Sequence, residues 1–235
     1  MSAENAPSLS ITPAFATPIF DTRLPNCEEL NLRLRDLFLK WEQDPNRKRS
    51  SAPTGVAKVE VYESDFALFS NPEPEIQALR QFSLNTLGYL IAQLNHYSGE
   101  EMARLRIFEH SWYHLTRHTG YTAKHNHPMA SWSGIYCVDP GDAVPDKINS
   151  GATRFFDTRT SASMYLDPAN SYLQSPYGFG DIAYTLVPGQ FLLFPSYLLH
   201  EVAPYFGTRE RITVAFNAWV REAGAPVDVP SIKQR

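Results

Sequence analysis

Histidine is the residue whose distribution in this sequence most clearly indicates chemistry. Five of the seven histidines lie between positions 110 and 127. A neutral imidazole is the commonest protein ligand for a transition metal, so a cluster of this kind indicates a metal site. The spacing within the cluster then decides which of the rings can reach one ion.

Three histidines of the cluster, His110, His114 and His118, are spaced by four residues. On a helix they would share a face, but a zinc protease helix also needs a glutamate after the first histidine, and Leu115 follows His114. The surrounding run alternates as a strand does. On a strand, His110 and His114 share a face with Trp112, and we expect them to act as ordinary aromatic filling.

The pair His125 and His127 has a different spacing. On a strand the two side chains lie on one face, together with those of Tyr121 and Ala123. Two imidazoles about 7 Å apart along a strand can both reach one metal ion at about 2.1 Å. The alternative is a polar strand end next to Pro128 with both rings in solvent.

His200 is far downstream and follows the apolar run QFLLFP at 190–195. A jelly roll brings strands that are distant in sequence together, so this histidine could complete a site of three ligands. Arg209 and Arg211 follow it on the run TRERITVAFN at 208–217. Alternation places both arginines on one face and Ile212, Val214 and Phe216 on the other.

An arginine on the inner face of a barrel is costly unless it meets an anion, and guanidinium can bind a carboxylate through two hydrogen bonds. A salt bridge to an acidic residue at the strand edge is the alternative for one of the two arginines. The sequence is thus compatible with a metal ion and a carboxylate ligand, and the polar strand end and the salt bridge stay open as alternatives.

The remaining pattern predicts the elements that position these residues. Apolar spacing predicts a helix over 27–42, capped by Asn26 with Glu29, and a second from near Asn71 to Gly99. From about position 104, about seven short runs alternate with period two. We therefore expect a single domain, 1–235, that is mainly β with flanking helices. Its predicted parts are an N-terminal segment with two cover helices, 1–103, and a jelly-roll (cupin-like) core carrying the metal site, 104–222.

Composition excludes several partner classes. Lys and Arg total 21 against 25 Asp and Glu, giving a net charge of −4, so we expect neither nucleic acid nor membrane as a partner. No apolar run is long enough to span a bilayer, and the first residues do not look like a secretory signal. The two cysteines, Cys27 and Cys137, cannot form a disulfide framework, which favours the cytoplasm. A homodimer is possible.

Four motifs occur in order: HNHP at 125–128, SGIYCV at 133–138, FPSYLLHEVAP at 194–204 and ERITVAFN at 210–217. In these motifs the sequence resembles the Fe(II)- and 2-oxoglutarate-dependent oxygenases, in particular a branch marked by H-x-H-P. The resemblance covers about residues 110–220 and implies a double-stranded β-helix fold. It also implies an oxidoreductase that hydroxylates an unknown substrate, small molecule or peptide, while converting 2-oxoglutarate to succinate.

The resemblance also implies roles for individual residues. His125, His127 and His200 would be the catalytic Fe(II) ligands, with His127 in place of the usual carboxylate. Arg211 would anchor 2-oxoglutarate with help from Ser133. Cys137 stands where the branch has a tyrosine that binds the same cosubstrate, and a thiol is a poor substitute for a phenol.

Three other functions remain open at this stage. They are a three-histidine dioxygenase that does not use 2-oxoglutarate, a three-histidine zinc site for hydrolysis or hydration, and a non-catalytic jelly-roll binding domain that contains a metal. The irregular stretch 139–180 could line a substrate pocket or simply pack. Its candidate residues are Arg154, Arg159, Tyr165, Tyr172, Tyr177 and Phe179.

Overall fold

The computed structural model describes residues 10–47, 56–142, 144 and 146–224, and within them the chain forms one nine-stranded sheet and three α-helices. The sequence favours a frayed start over 1–10 and a basic loop over 45–55, and both stretches lie largely outside these residues. The helices are α1 (Glu28–Gln43), α2 (Pro74–Asn95) and α3 (Gly99–Ala103). The strands are β1 (Phe20–Arg23), β2 (Lys58–Glu63), β3 (Leu105–His125), β4 (Trp132–Asp139), β5 (Thr153–Phe155), β6 (Ile182–Tyr184), β7 (Gln190–Pro195), β8 (His200–Val202) and β9 (Arg211–Glu222).

The strand order explains how distant parts of the sequence meet. Neighbouring strands follow the order β1-β7-β4-β9-β3-β8-β5-β6, with β2 also paired to β3, and every one of these ladders is antiparallel. Strands from the two ends of the core therefore alternate across a curled sheet, as in a jelly roll. This confirms the expected fold class, mainly β with flanking helices.

The central strands β3 and β9 present two different faces. Their odd and even residues alternate, so one face packs on the helices and the other lines the interior. Phe38 of α1 stacks on Tyr113 of β3 with ring centroids 4.1 Å apart. The buried helix-side cluster includes Leu34, Phe38, Ile76, Leu79, Leu87, Tyr113, Leu115, Ile212, Val214 and Phe216. This confirms that the helices cover the sheet and that Ile212, Val214 and Phe216 share a face.

The helix ends differ from the prediction. The cap of α1 is Cys27 without a side-chain hydrogen bond, whereas the expected cap Asn26 has a left-handed φ of 51°. Helix α2 ends at Asn95, where His96 adopts the left-handed conformation that terminates helices. Gly99 instead begins α3, whose capping box joins Ser98 and Glu101. The predicted cap at Asn26 and stop at Gly99 are therefore wrong. None of the helices in the described part of the chain is long and apolar enough to cross a membrane.

The strands also include elements that the pattern did not predict. The alternating pattern predicts separate strands over 104–116 and 121–127, but one continuous strand, β3, covers most of both runs. The short strands β1, β2 and β8 were not expected, because each has too few alternating residues to stand out from a loop. β8 matters most of the three, since it carries His200.

Candidate metal centre

Three of the predicted site histidines come together at one end of the core. His125, the last residue of β3, is paired in register with His200, the first residue of β8. The backbone N–H of His127 donates to the Ser196 carbonyl at 2.8 Å, which holds the chain beyond β3 close to the same place. One ring nitrogen from each histidine lies within 4.8 Å of the others, so this group could hold a metal ion.

The route by which the rings converge differs from simple alternation. The β3–β8 register shifts between Thr122 and His125, and His127 lies beyond the end of the strand. As a result, Thr122 lines the same cavity as His125, whereas Tyr121 and Ala123 do not. The predicted common face of Tyr121, Ala123, His125 and His127 is therefore wrong, although the two histidines do meet.

Backbone carbonyls orient two of the three rings. The Nδ1 of His125 lies 2.7 Å from the carbonyl oxygen of Ala123, and the Nδ1 of His200 lies 2.9 Å from that of Leu198. A ring that donates from Nδ1 keeps Nε2 free as a lone-pair ligand. The carbonyls thus select the tautomer that a metal ion needs.

Burial keeps all three imidazoles neutral. It lowers the pKa of His127 to about 2 and that of His200 to about 3, with further lowering from the neighbouring histidines. The pKa of His125 is also lowered, again chiefly by burial. At neutral pH the site therefore presents three uncharged nitrogen donors, the form in which histidine binds metals.

A small cavity of about 40 Å³, which we call the arginine cavity, begins at the three histidines and reaches Arg211. Arg211 is only 3% exposed, and its Nη2 has no hydrogen-bond partner within the described residues. Burial lowers the pKa of this guanidinium, the sign of a desolvated cation. Since an uncompensated buried cation is costly, the cavity fits a carboxylate ligand.

The second predicted arginine lies elsewhere. Arg209 precedes β9, its side chain is 54% exposed, and it pairs with Asp142 at 2.8 Å and Asp139 at 3.5 Å. It therefore adopts the ion-paired alternative that the sequence left open for one of the two arginines. Arg211 alone of the two lines the cavity.

Ser133 and Cys137 occupy different environments. Ser133 lines the arginine cavity, donates to Asn217 Oδ1 at 2.7 Å, and lies 2.8 Å from the Ser196 hydroxyl. Cys137 is fully buried among apolar side chains such as Phe194 and is not part of the cavity wall. Burial raises the pKa of the Cys137 thiol to about 12, so it stays uncharged.

Sequence reasoning missed Thr153, which lines the arginine cavity, and Gly151, which approaches Arg211. Thr153 of β5 lines the arginine cavity, and its buried Oγ1 has no hydrogen-bond partner in the described residues. Gly151 has a left-handed φ of 65°, and a Cβ there would lie 3.0 Å from Arg211 Cδ. A single threonine or glycine in this part of the sequence has no spacing that relates it to β9. The sequence alone therefore does not link either residue to Arg211.

A second, larger cavity of about 300 Å³ adjoins the three histidines, and we call it the tryptophan cavity. It shares Trp112, His114, His125, His127 and Asn217 with the arginine cavity. His110, Trp112 and His114 share a face as predicted, but they line an open space, so the prediction that they only fill the interior is wrong.

A charged network closes one side of this cavity. Glu63 accepts hydrogen bonds from Lys58 Nζ at 2.5 Å and from His114 Nε2 at 2.7 Å. Burial alone would raise the pKa of Glu63, but His114 and Lys58 together lower it to about 2. Glu63 is therefore ionised at neutral pH, and the network contributes to stability.

We expect Glu63→Gln to lower the free energy of unfolding at pH 7 by up to about 3 kcal/mol, the value of a pKa lowered from 4.5 to about 2. A lowered pKa stabilises the fold above the unfolded-state value, so the difference from the wild type should shrink as the pH falls from about 4.5 towards 2. Urea unfolding at several pH values, with a chelator present, measures this. The exposed Glu100→Gln is the control, and an equal loss in both variants would contradict the assignment.

A third cavity, of about 320 Å³, is lined by only some of the candidate residues of the irregular segment 139–180. Arg159 and Phe179 line it, whereas Arg154 is paired with Glu201 and Asp181. Tyr165 and Tyr172 are exposed. The expected pocket residues of 139–180 therefore do not converge on the three histidines.

Comparison with known proteins identifies the core. Residues 110–217 match the model of a family described as "Putative 2OG-Fe(II) oxygenase". This core is that of a 2OG-Fe(II) oxygenase. The match confirms the expected family, the oxidoreductase class and the pair of cofactors, Fe(II) and 2-oxoglutarate. A search of curated proteins finds no match to the oxygenase.

Solved structures share the fold of the oxygenase at low identity. A prolyl-4-hydroxylase from Pseudomonas putida has a TM-score of 0.55 at 14% identity, covering 88% of this chain and 94% of that chain. A prolyl hydroxylase from Trichoplax adhaerens, solved with a peptide of hypoxia inducible factor, has 0.55 at 12%, covering 86% and 83%. The epimerase SnoN, solved with Fe3+, alpha ketoglutarate and nogalamycin RO, has 0.56 at 10%, covering 92% and 87%.

Proposed function

We propose that the oxygenase hydroxylates its substrate with Fe(II) held by His125, His127 and His200 and with 2-oxoglutarate anchored by Arg211. One observation supports this above the others. A single small cavity joins three neutral histidine nitrogens to a buried, unpaired guanidinium. A metal donor set at one end and a carboxylate receptor at the other match a ligand that chelates iron and carries a second carboxylate.

The donor chemistry fits both groups. The free Nε2 atoms of His125 and His200 would bind the metal ion, and His127 would replace the usual carboxylate ligand. With three neutral ligands the protein leaves the 2+ charge of Fe(II) uncompensated, and the dianion of 2-oxoglutarate would neutralise it. Arg211 would then hold the far carboxylate.

The proposed roles of the other residues follow from their positions. Ser133 would assist at the cavity wall and keep Asn217 oriented through their hydrogen bond. Cys137, beneath the wall, would leave the cosubstrate without the phenol that the family branch has there. Thr153, with its unpaired hydroxyl, is a further donor for the carboxylate held by Arg211.

When bound, Fe(II) and 2-oxoglutarate supply an O₂-dependent oxidation in which 2-oxoglutarate loses CO₂ and becomes succinate. The chain positions the two groups, excludes bulk water from the buried arginine cavity, and admits substrate next to the histidines. A dioxygenase without 2-oxoglutarate, or a non-catalytic metal-binding domain, would leave Arg211 buried without an anion.

Anaerobic Fe(II) loading followed by titration with 2-oxoglutarate tests this proposal. We expect a visible metal-to-ligand charge-transfer band that saturates at one equivalent, and no such band when Zn(II) replaces Fe(II). On admission of O₂, succinate should form. Iron binding without the band would favour the three-histidine dioxygenase, and a band without succinate formation would favour the non-catalytic domain.

We also propose that the chain acts as a single domain in the cytoplasm, without nucleic acid or membrane partners. Both cysteines are free and buried, which supports a reducing compartment. The neighbour from Trichoplax adhaerens binds a peptide, so peptide and small-molecule substrates both need to be considered for this oxygenase.

A further inference from the structure

The tryptophan cavity is placed where a substrate of the oxygenase would have to bind. It meets the arginine cavity at His125 and His127, but Arg211 does not line it. Its volume of about 300 Å³ is at the lower end of the range for small-molecule sites. A molecule in this cavity would lie against two of the proposed metal ligands without occupying the space of 2-oxoglutarate.

Aromatic rings form much of its wall. Phe66 meets Trp112 edge to face with ring centroids 5.2 Å apart, and His110 meets Trp219 in the same way at 4.9 Å. Such pairs expose both ring faces and ring edges to the space between them, which suits contact with another ring. The wall therefore favours a cyclic, largely apolar ligand.

The same wall has unused hydrogen-bond capacity. Trp112 Nε1, Trp219 Nε1 and His110 Nδ1 are buried, and none has a hydrogen-bond partner within the described residues. An indole nitrogen can only donate, so an acceptor must come from elsewhere. Buried donors without partners are uncommon and costly, so a ligand oxygen that reached one of these nitrogens would remove that cost.

The charges on the wall cancel. Among the described residues that line the cavity, Lys58 and Glu63 carry opposite charges and are paired with each other. Burial lowers the pKa of His110, which keeps that ring neutral. A charged substrate would thus lose its hydration without meeting a free counter-ion, whereas a neutral one would not.

We propose that the substrate of the oxygenase is a neutral small molecule with at least one ring and a carbonyl or ether oxygen that accepts a hydrogen bond from Trp219. This inference rests on the proposed function, because it takes the proposed metal ligands as the reacting end of the cavity. Trp219 is then a specificity-determining residue, and the ring faces of Trp112 and Phe66 hold the apolar part.

Four probes test the substrate class by ligand-observed NMR on the full chain. They are coumarin, which is neutral and has a lactone carbonyl, naphthalene, which lacks an acceptor, 1-naphthoate, which is an anion, and the peptide N-acetyl-Gly-Pro-Gly-amide. We expect coumarin to bind most tightly. Tightest binding of naphthalene, of naphthoate or of the peptide would overturn the proposal, as would the failure of every probe to bind at its highest soluble concentration.

Substitution of Trp219 tests the hydrogen bond itself. Trp219→Phe keeps a ring but removes the N–H, so the Kd for coumarin should rise by about 3- to 10-fold, while that for naphthalene stays within about 2-fold. Trp132→Phe is the matched control, because Trp132 does not line the cavity, and it should change neither constant. If Trp219→Phe does not fold, the indole N–H resonances of the unsubstituted chain are followed instead, and one of them should shift on titration with coumarin but not with naphthalene. An unchanged Kd for coumarin overturns the assignment.

The experiment is done twice, on the chain as purified and on the chain loaded anaerobically with Fe(II) and 2-oxoglutarate. Absence of the charge-transfer band would count against the proposed function but leave the probe selectivity measurable. A normal band without selectivity for coumarin would count against the substrate class alone.

Discussion

Replacing His200 by alanine is expected to lower the Fe(II) affinity of the oxygenase by more than about 100-fold, the upper end of what loss of a mere outer-shell partner costs. His125→Ala and His127→Ala should behave in the same way. The reason is geometric: each of the three supplies one of the nitrogens that lie within 4.8 Å of one another. Anaerobic equilibrium dialysis against Fe(II) measures the affinity, and circular dichroism checks that each variant is folded.

His118→Ala is the matched control for these variants. His118 belongs to the same cluster in the sequence, but it is exposed and its Nδ1 lies 3.3 Å from the Gly207 carbonyl oxygen. Iron affinity should be unchanged in this variant. If His127→Ala kept the full affinity instead, a water molecule or another residue would be the third ligand, and His127 would only support the site.

Replacing Arg211 by glutamine should raise the Kd for 2-oxoglutarate by at least about 30-fold, because removing one partner of a desolvated charge pair costs about 2 kcal/mol or more. Arg209→Gln should change it by only a few-fold, because that side chain is exposed and already paired with Asp142. Fe(II) affinity should barely change in either variant. Titration of the charge-transfer band with 2-oxoglutarate gives the Kd of the cosubstrate for each of the two variants.

The two arginine variants also test the cosubstrate assignment. A larger effect of Arg209→Gln than of Arg211→Gln would contradict the position that the structure gives these side chains. If neither substitution weakened 2-oxoglutarate binding, the cosubstrate would have to be abandoned in favour of a three-histidine metal site that does not use it.

Much of this site could be predicted because it depends on patterns that are visible in the sequence itself, namely strand alternation and the order of the motifs. The alternation of β9 placed Arg211 opposite Ile212 and Val214, and burial of an arginine required an anion. Four motifs in the right order linked His200 to His125 and His127 across a long stretch of sequence. Such a pattern is a reliable guide because turning a strand over by one residue would bury its polar side chains and expose its apolar ones.

Other features depend on the tertiary structure and leave no local signal. The register shift between Thr122 and His125 is a property of the β3–β8 ladder and not of either strand alone. His96 ends α2 in a left-handed conformation that glycine adopts far more readily than histidine, so residue type alone favours Gly99 as the end of the helix. The tryptophan cavity arises where Trp112 and Trp219 from two strands fail to fill the space between them, and periodicity cannot show such a gap.

The direct pairing of His125 with His200 has a consequence for how the oxygenase matures. β8 is only three residues long, and its ladder with β3 is fixed by two register positions, one of which is this pair. A metal ion bound by both residues would crosslink β3 and β8. It would bind only the chain in which these two strands are paired. Iron binding would then raise the folded population by mass action, so that the chain would resist proteolysis better with iron than without it.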